Sequence, residues 1–348
     1  MAISEPQTRL GFALPAVLAV TGVVTLIFLV AITALSSLTA EAASARARVR
    51  FIERALTAEA TIAYLVATEP FGSRDILVGQ PRYFDDGRGE VVSVEAPGVP
   101  VTPVRLDSSA YRLDVRGPLL VRLQDQAGMI NLASLSEDQH RKLGEAVGLG
   151  GSQAATLRPL YLDYVDRDDL RQTNGAEARD YPAGTGPANR NLRRPLEWLS
   201  LLNVRSGVDP ARWRALKGDL AADHTLTSWN VNTASAQTLR LLFDLTEGQA
   251  EAAIQARQTA PFNTAEDFIA ASGAALLADP EVVYTFPSAR LFYVISDGRS
   301  PWTYRARITL TPSGLEQPLW IDQSELTEAP RRAVADTSDA VEFPYAPR

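Results

Sequence analysis

Six carboxylates fall within 18 residues of the stretch DYVDRDDLRQTNGAEARDYP: Asp163, Asp166, Asp168, Asp169, Glu177 and Asp180. Side chains of one sign this close repel one another and titrate abnormally unless a cation or bases neutralise them. An oxygen-only set of this density suits calcium, which takes about six to eight oxygens at adaptable angles. Zinc would ask for histidine and cysteine, and the chain has two histidines and no cysteine. Asp166, Asp168 and Glu177 have the spacing of the first, third and twelfth places of an EF-hand loop. Leu170 and Arg171 stand where its fifth ligand and its turn glycine belong, so the stretch is not an EF-hand. The candidate ligands are Asp166, Asp168, Asp169, Glu177 and Asp180. A solvated acidic loop, paired with Arg167, Arg171 and Arg179, fits the same residues equally well.

Other chemistries find little support. His140 and His224 lie near no serine or carboxylate pattern of a nucleophilic triad, and there is no Gly-x-Ser-x-Gly elbow or phosphate loop. Acidic loops hold magnesium in phosphoryl-transfer enzymes, but with phosphate-cradling glycines or lysines that are missing here. The chain therefore reads as a non-enzyme. The lack of cysteine removes disulfide frameworks and thiol catalysis. A net charge of −7 over 348 residues argues against nucleic acid as a partner.

Whatever the acidic stretch does, it must be carried by a body, and the chain opens with a segment that is not part of a water-soluble one. No residue between Arg9 and Glu41 is charged. The apolar part from Phe12 to Leu35 would span about 36 Å as a helix, enough to cross a bilayer. The small residues of SSLTAEAASA would suit a cleaved secretory signal, but the helical pattern continues past them. Val49, Ile52, Leu56, Ala63 and Val66 recur at helical steps, with Arg46, Arg48, Arg50, Glu53, Arg54 and Glu59 mostly on other faces. The helix should end before Pro70.

Strand signals follow at VVSVE (91–95), YRLDV (111–115) and LLVRLQD (119–125), then disappear for a long stretch. They return at LFYVIS (291–296), a turn at Asp297-Gly298, and YRARITL (304–310), with a short LWI (319–321) beyond. The simplest architecture is α+β: a long N-terminal helix packed on a small antiparallel sheet, interrupted by a large all-α insertion. The expected divisions are a leader over 1–11, the membrane half of the helix over 12–35, the first part of the α/β body over 36–130, the insertion over 131–285, the second part of the sheet over 286–325 and a disordered tail over 326–348. Within the insertion, INLASLSEDQHRKLGEAVGLGGSQAATL and VNTASAQTLRLLFDLTEGQAEAAIQARQ share an asparagine, a small-residue turn and two helices, a degenerate duplication whose starts fit helix caps.

A short polar leader ending in Gly11, then Phe12 and a hydrophobic helix, resembles the type IV pilin signal. The resemblance implies cleavage by prepilin peptidase after Gly11 and methylation of Phe12. Pilins usually carry glutamate at the fifth mature position; here it is Ala16. This pattern is similar to the minor pseudopilin K (GspK, general secretion pathway protein K) family of the type II secretion system. That family implies a pilin-like fold with a SAM-like, helix-hairpin-helix-like insertion, a filament-tip role in exporting folded proteins, and minor pseudopilins I and J as partners. It also implies an inner-membrane anchor with the head in the periplasm, although the arginines at 46–54 outnumber Arg9 and by charge alone favour the reverse topology. Its Asp-x-Asp and Asn-Gly-Ala-Glu stretch, present as Asp166, Asp168, Asn174, Gly175, Ala176 and Glu177, is associated with one or two calcium ions. Ala178 stands where an aspartate is expected, a gap that Asp180 could fill, and Asn189 could add an amide oxygen or serve a turn.

WNVNTASAQTL and PFNTAEDFIAA also resemble helix-hairpin-helix modules of DNA-binding proteins, and a membrane-anchored protein of DNA uptake is the alternative. The hairpin at Leu245-Thr246-Glu247-Gly248-Gln249 has one glycine, and Glu247 would repel phosphate.

Overall fold

The computed structural model describes residues 13–79, 82–85, 91–94, 101–274, 283–298, 300–312, 315–328 and 340–344. The leader, with Gly11 and Phe12, lies outside the described residues. The chain divides into two compact units, Met1–Arg54 and Ala55–Arg348.

In the first unit the described chain is the leading part of helix α1 (Ala13–Thr68). Pro15 is accommodated because the first turn lacks intrahelical acceptors for its N–H groups. Every leucine, valine, isoleucine and phenylalanine from Leu14 to Leu38 is exposed. A helix apolar on all sides has no favourable contact with water, and its best stretch reaches a mean hydropathy of 2.6. The hydroxyls in it turn inward. Thr33 donates to the carbonyls of Leu29 (3.0 Å) and Val30 (2.8 Å), Ser36 to Thr33 and Thr39 to Ser36. Satisfying polar groups within the helix is what a hydrocarbon solvent demands. The helix is long and apolar enough to cross a bilayer.

In the second unit, α1 buries Ala55, Ala58, Ile62 and Leu65 completely. This face is set beside the one expected, and Leu56 is half exposed. Two alanines let the helix approach the sheet closely, and Glu59 is drawn in with them. Its Oε2 accepts from the hydroxyls of Tyr293 and Tyr304, the latter at 2.6 Å. Burial and the neighbouring carboxylate push the Tyr304 phenol up to about 12, so it remains a donor.

The sheet has six strands: β1 (Asp107–Asp114), β2 (Pro118–Asp125), β3 (Arg290–Ser296), β4 (Trp302–Leu310), β5 (Leu319–Glu328) and β6 (Val341–Glu342). Their order is β5-β4-β3-β2-β1-β6, antiparallel except for β6, which runs parallel to β1. Tyr111, Leu113 and Val115 are buried, as are Ala306 and Ile308, following the alternation in the sequence. The segment Val91–Val94 forms a separate hairpin with Arg82–Asp85 and does not join the sheet. The LWI segment extends into the ten residues of β5. The tail expected to be disordered from 326 contributes the end of β5 and all of β6. Phe343, buried beside Tyr111, supplies the apolar anchor that its composition had concealed.

The insertion leaves the sheet at Asp125 and returns at Arg290, beside the pair Leu291 and Asp125. Its main helices are α2 (Glu137–Ala146), α3 (Leu157–Val165), α4 (Ala236–Phe243), α5 (Glu247–Thr259) and α6 (Ala265–Ser272). They enclose a core that includes Leu143, Leu157, Trp198, Leu239 and Phe268. Strands do not vanish here. Ile130–Asn131 pairs with Leu220–Ala221, and Trp229–Asn230 with Val283–Tyr284, both parallel.

Each repeat opens on an asparagine that brackets distant backbone. Asn131 Nδ2 donates to the carbonyls of Asp223 and Leu226, and its Oδ1 accepts from the Asp223 N–H. Asn232 does the same with the carbonyls of Phe262 and Thr285 and the Phe262 N–H. Of the asparagine-serine starts expected to cap, the serines Ser136 and Ser235 do so. Burial explains the bracketing, because a fully enclosed amide must use its donors and acceptor together. At the hairpin, Thr246 and Gln249 form a capping box and Glu247 occupies the first turn of α5.

Asp125 fastens the insertion to the sheet. It is wholly buried, and its carboxylate accepts from the Ala127 N–H, the Ser288 N–H and hydroxyl, Asn230 Nδ2 and the Thr233 hydroxyl. Burial raises its pKa and the donors from Ser288, Asn230 and Ala127 oppose the rise. Replacing it leaves those donors without an acceptor. Asp125→Ala is expected to destabilise the second unit by about 3 kcal/mol or more, read as a lower urea midpoint at unchanged slope.

Candidate metal centre

Helix α3 ends inside the acidic stretch. Asp163 lies in its last turn and Asp166 is its C-cap, so the two carboxyls project three residues apart on one side. The chain then loops out and returns at Glu177, which opens a short 3-10 turn over Ala178–Asp180. Oxygens of Asp163, Asp166 and Glu177 lie within 4.8 Å of one another. Asp163 is fully buried and Glu177 nearly so.

The loop is folded around Asp163. Its two oxygens accept from the Gln172 N–H at 3.2 and 3.1 Å. Gly175 closes over it, and a Cβ there would stand 2.0 Å from Asp163 Oδ2. Asn174, just before, takes a positive φ of 64°, a conformation asparagine tolerates. On the far side, the Ala188 and Asn189 N–H groups donate to the Tyr164 carbonyl, and the Tyr181 hydroxyl accepts from the Leu202 N–H. Burial first of all pushes the Tyr181 phenol up to about 12.

What sets the site apart is what it leaves unsatisfied. Both carboxyl oxygens of Glu177 and Oδ1 of Asp166 are buried without a hydrogen-bond partner, as is Oδ1 of Asn189. Such groups cost free energy unless something electropositive meets them. Burial, then the charges of Asp163, Asp166, Asp169 and Asp168, raise the Glu177 pKa; burial and Asp168, Asp163 and Asp169 do the same for Asp166. The donor set is all oxygen, and oxygens bound to one calcium at about 2.3–2.6 Å are at most about 5 Å apart. The residues therefore fit a calcium ion.

Of the five residues expected from the sequence, Asp166 and Glu177 meet here. Asp168 and Asp169 are exposed, and Asp168 accepts from the Leu170 N–H at 2.8 Å. Asp180 is engaged by the Glu177 N–H and by Arg171. Asp163, counted in the acidic stretch but left out of the expected ligands, is the deepest of the three. The signal was its place three residues before Asp166 at the end of a helix.

Comparison with known proteins bears on the same insertion. Residues 229–285, from the strand Trp229–Asn230 to just past its partner Val283–Tyr284, match the family described as type II secretion system (T2SS), protein K. The type II secretion system protein K of Pseudomonas aeruginosa is 31% identical over 184 residues, covering 50% of this chain and 53% of that protein. Over these stretches the chain is similar to the type II secretion system protein K family. It spans about half the length of the curated protein K it matches. A chain of the crystal structure of the GspK-GspI-GspJ complex from the enterotoxigenic Escherichia coli type 2 secretion system superposes with a TM-score of 0.50 at 14% identity, covering 82% of this chain and 99% of that one. At that identity the likeness to the protein K fold concerns the fold alone: a long helix, a sheet and an inserted helical body.

The pH dependence of the metal-free chain follows from the raised carboxyls. A folded pKa above the unfolded value means the folded state holds more protons across the interval, so the stability these groups contribute is full below about pH 4 and is lost as pH rises through the folded value. The thermal midpoint of chelator-treated protein should fall as pH rises above about 4, and Glu177→Gln should flatten that slope.

Proposed function

We propose that the chain is a minor pseudopilin at the tip of the type II secretion pseudopilus, helping to initiate or cap the filament that exports folded proteins across the outer membrane. The observation that carries this reading is the match of residues 229–285 to protein K, within an insertion on a pilin-like body that follows a membrane-length helix. The leading part of α1 anchors the chain in the inner membrane, with the second unit in the periplasm. Prepilin peptidase removes residues 1–11 and methylates Phe12.

A tip position suits Ala16, which stands where filament subunits usually carry a glutamate. A carboxylate at that depth is costly unless it meets a positive partner such as a neighbour's amino terminus, and a terminal subunit can do without that contact. The partners are minor pseudopilins I and J, the other proteins named in the Escherichia coli complex. The role is architectural, without catalysis. Co-expression with I and J should yield a complex in which this chain begins at methylated Phe12 by mass spectrometry. Recovery only as an isolated chain cut near Ala43 would replace this reading with that of an ordinary exported protein.

Within this role Asp163, Asp166 and Glu177 hold a calcium ion, with Asn189 positioned by Tyr164 near the end of the same loop. The ion would supply positive charge to buried carboxylates and fix the loop from 166 to 189 on the end of α3. The structural residues do the rest: Gln172 and Gly175 shape the floor and Tyr181 ties the loop to Leu202. At about a hundredfold excess over the dissociation constant, calcium should raise the thermal midpoint by roughly 5 °C. Glu177→Gln should abolish most of the rise, whereas an equal rise in that variant would move the ion elsewhere.

A further inference from the structure

The margin of the sheet at β1 holds an arrangement that neither the fold nor the metal centre requires. β1 has eight residues, and its outer neighbour β6 pairs with two of them, Val341 with Tyr111 and Glu342 with Arg112. An edge of this kind presents free backbone groups and is a template for another extended chain. The contact that fills it is small but specific. The Phe343 N–H donates to the Arg112 carbonyl at 2.8 Å. Phe343 is 6% exposed while Val341 is 62% exposed, so the aromatic ring is the anchor. It stands edge-on to Tyr111, with centroids 5.9 Å apart and planes at 86°. Tyr111 is itself fixed, its hydroxyl accepting from the Arg105 N–H at 2.6 Å. Beside the ring, Glu342 accepts from Arg112 Nε at 2.7 Å, an ion pair between exposed side chains.

We propose that the β1 edge is a docking groove for an extended peptide with an acidic residue followed by an aromatic one, held in cis by residues 340–344 and able to receive a partner segment of the same chemistry. Main-chain pairing supplies affinity in such β-augmentation, and side-chain pockets supply specificity. Here the Tyr111 face is the pocket for the aromatic ring, and Arg112 reads the acid before it. The charge complementarity of Arg112 and Glu342 identifies the occupant as acidic. Among the described residues the strap covers two of eight strand positions and rests on one ring and one solvent-exposed ion pair, which makes it exchangeable. A partner segment pairing along more of β1 makes a longer ladder and displaces it.

The test uses the full chain in detergent and a fluorescent peptide reproducing residues 339–346. Two strap-released chains, Phe343→Ala and Glu342→Lys, should bind the peptide, and the wild-type chain should bind it at least about tenfold more weakly because its own strap competes. A peptide with alanine in place of the phenylalanine should not bind. In the Phe343→Ala chain Arg112→Glu should lose the peptide and regain a version carrying lysine in place of its glutamate. Hydrogen exchange of β2 and β3 confirms that each variant is folded, and Glu342→Lys alters only an exposed side chain. Equal binding by wild-type and released chains, or no binding by a folded released chain, overturns the proposal.

Discussion

A folded insertion placed between two neighbouring strands must leave and re-enter the sheet at the same place, and the rest of this head depends on how that closure is held. The cost of closing a long excursion grows slowly with its length, but the junction still has to be fixed. Here it is fixed by buried charge. Asp125 ends β2 and gathers donors from the return segment and from the second repeat. Asp223, shortly before the second repeat, accepts from Gln126 and pairs with Arg290 and Arg307 on β3 and β4. Burial works against the Asp223 carboxylate, yet Thr225, Gln126 and Arg290 together hold its pKa below the ordinary value. A network of this kind orients the insertion more strongly than an apolar contact would, since a small slip would strand several partners at once.

The candidate metal centre follows the opposite rule. At Asp125 every carboxylate oxygen is met by protein; at Glu177 neither is. The same chain has thus buried two kinds of acid, one satisfied by the fold and one left for something outside it. The contrast gives the cluster more weight than its acidity alone, because acidic loops are common and buried carboxylate oxygens without donors are rare. The site is also tied to the body: α3, which carries Asp163, packs in the core of the insertion through Leu157 and Tyr161. Fixing the loop would therefore reach from the surface into the core in a few contacts.

The corrections to the sequence reading share one cause. Val91–Val94 has the composition of a sheet strand but pairs in a separate hairpin, because pairing partners are not written in local sequence. Asn131 and Asn232 look like caps and act as brackets, because their depth decides how many hydrogen bonds they must make. Glu59 was placed away from the packed face by periodicity alone, and two tyrosines more than two hundred residues later draw it in. Phe343 sits in a polar, proline-containing tail and is buried by the ring of Tyr111.

By itself the sequence determined the long helix with its uncharged leading part and its end near Pro70, the alternation of β1 and β4, the duplicated helical insertion, and the acidic stretch with its oxygen-only chemistry. These are local properties, fixed by hydrophobic period, proline geometry and side-chain type within a few residues. Only the tertiary structure decided which acids share a site, which face of α1 is buried, where the insertion is fastened and what closes the sheet's edge. Each of those depends on desolvation and on partners far away in the chain, and the free energy of a buried charge belongs to its surroundings rather than to the residue.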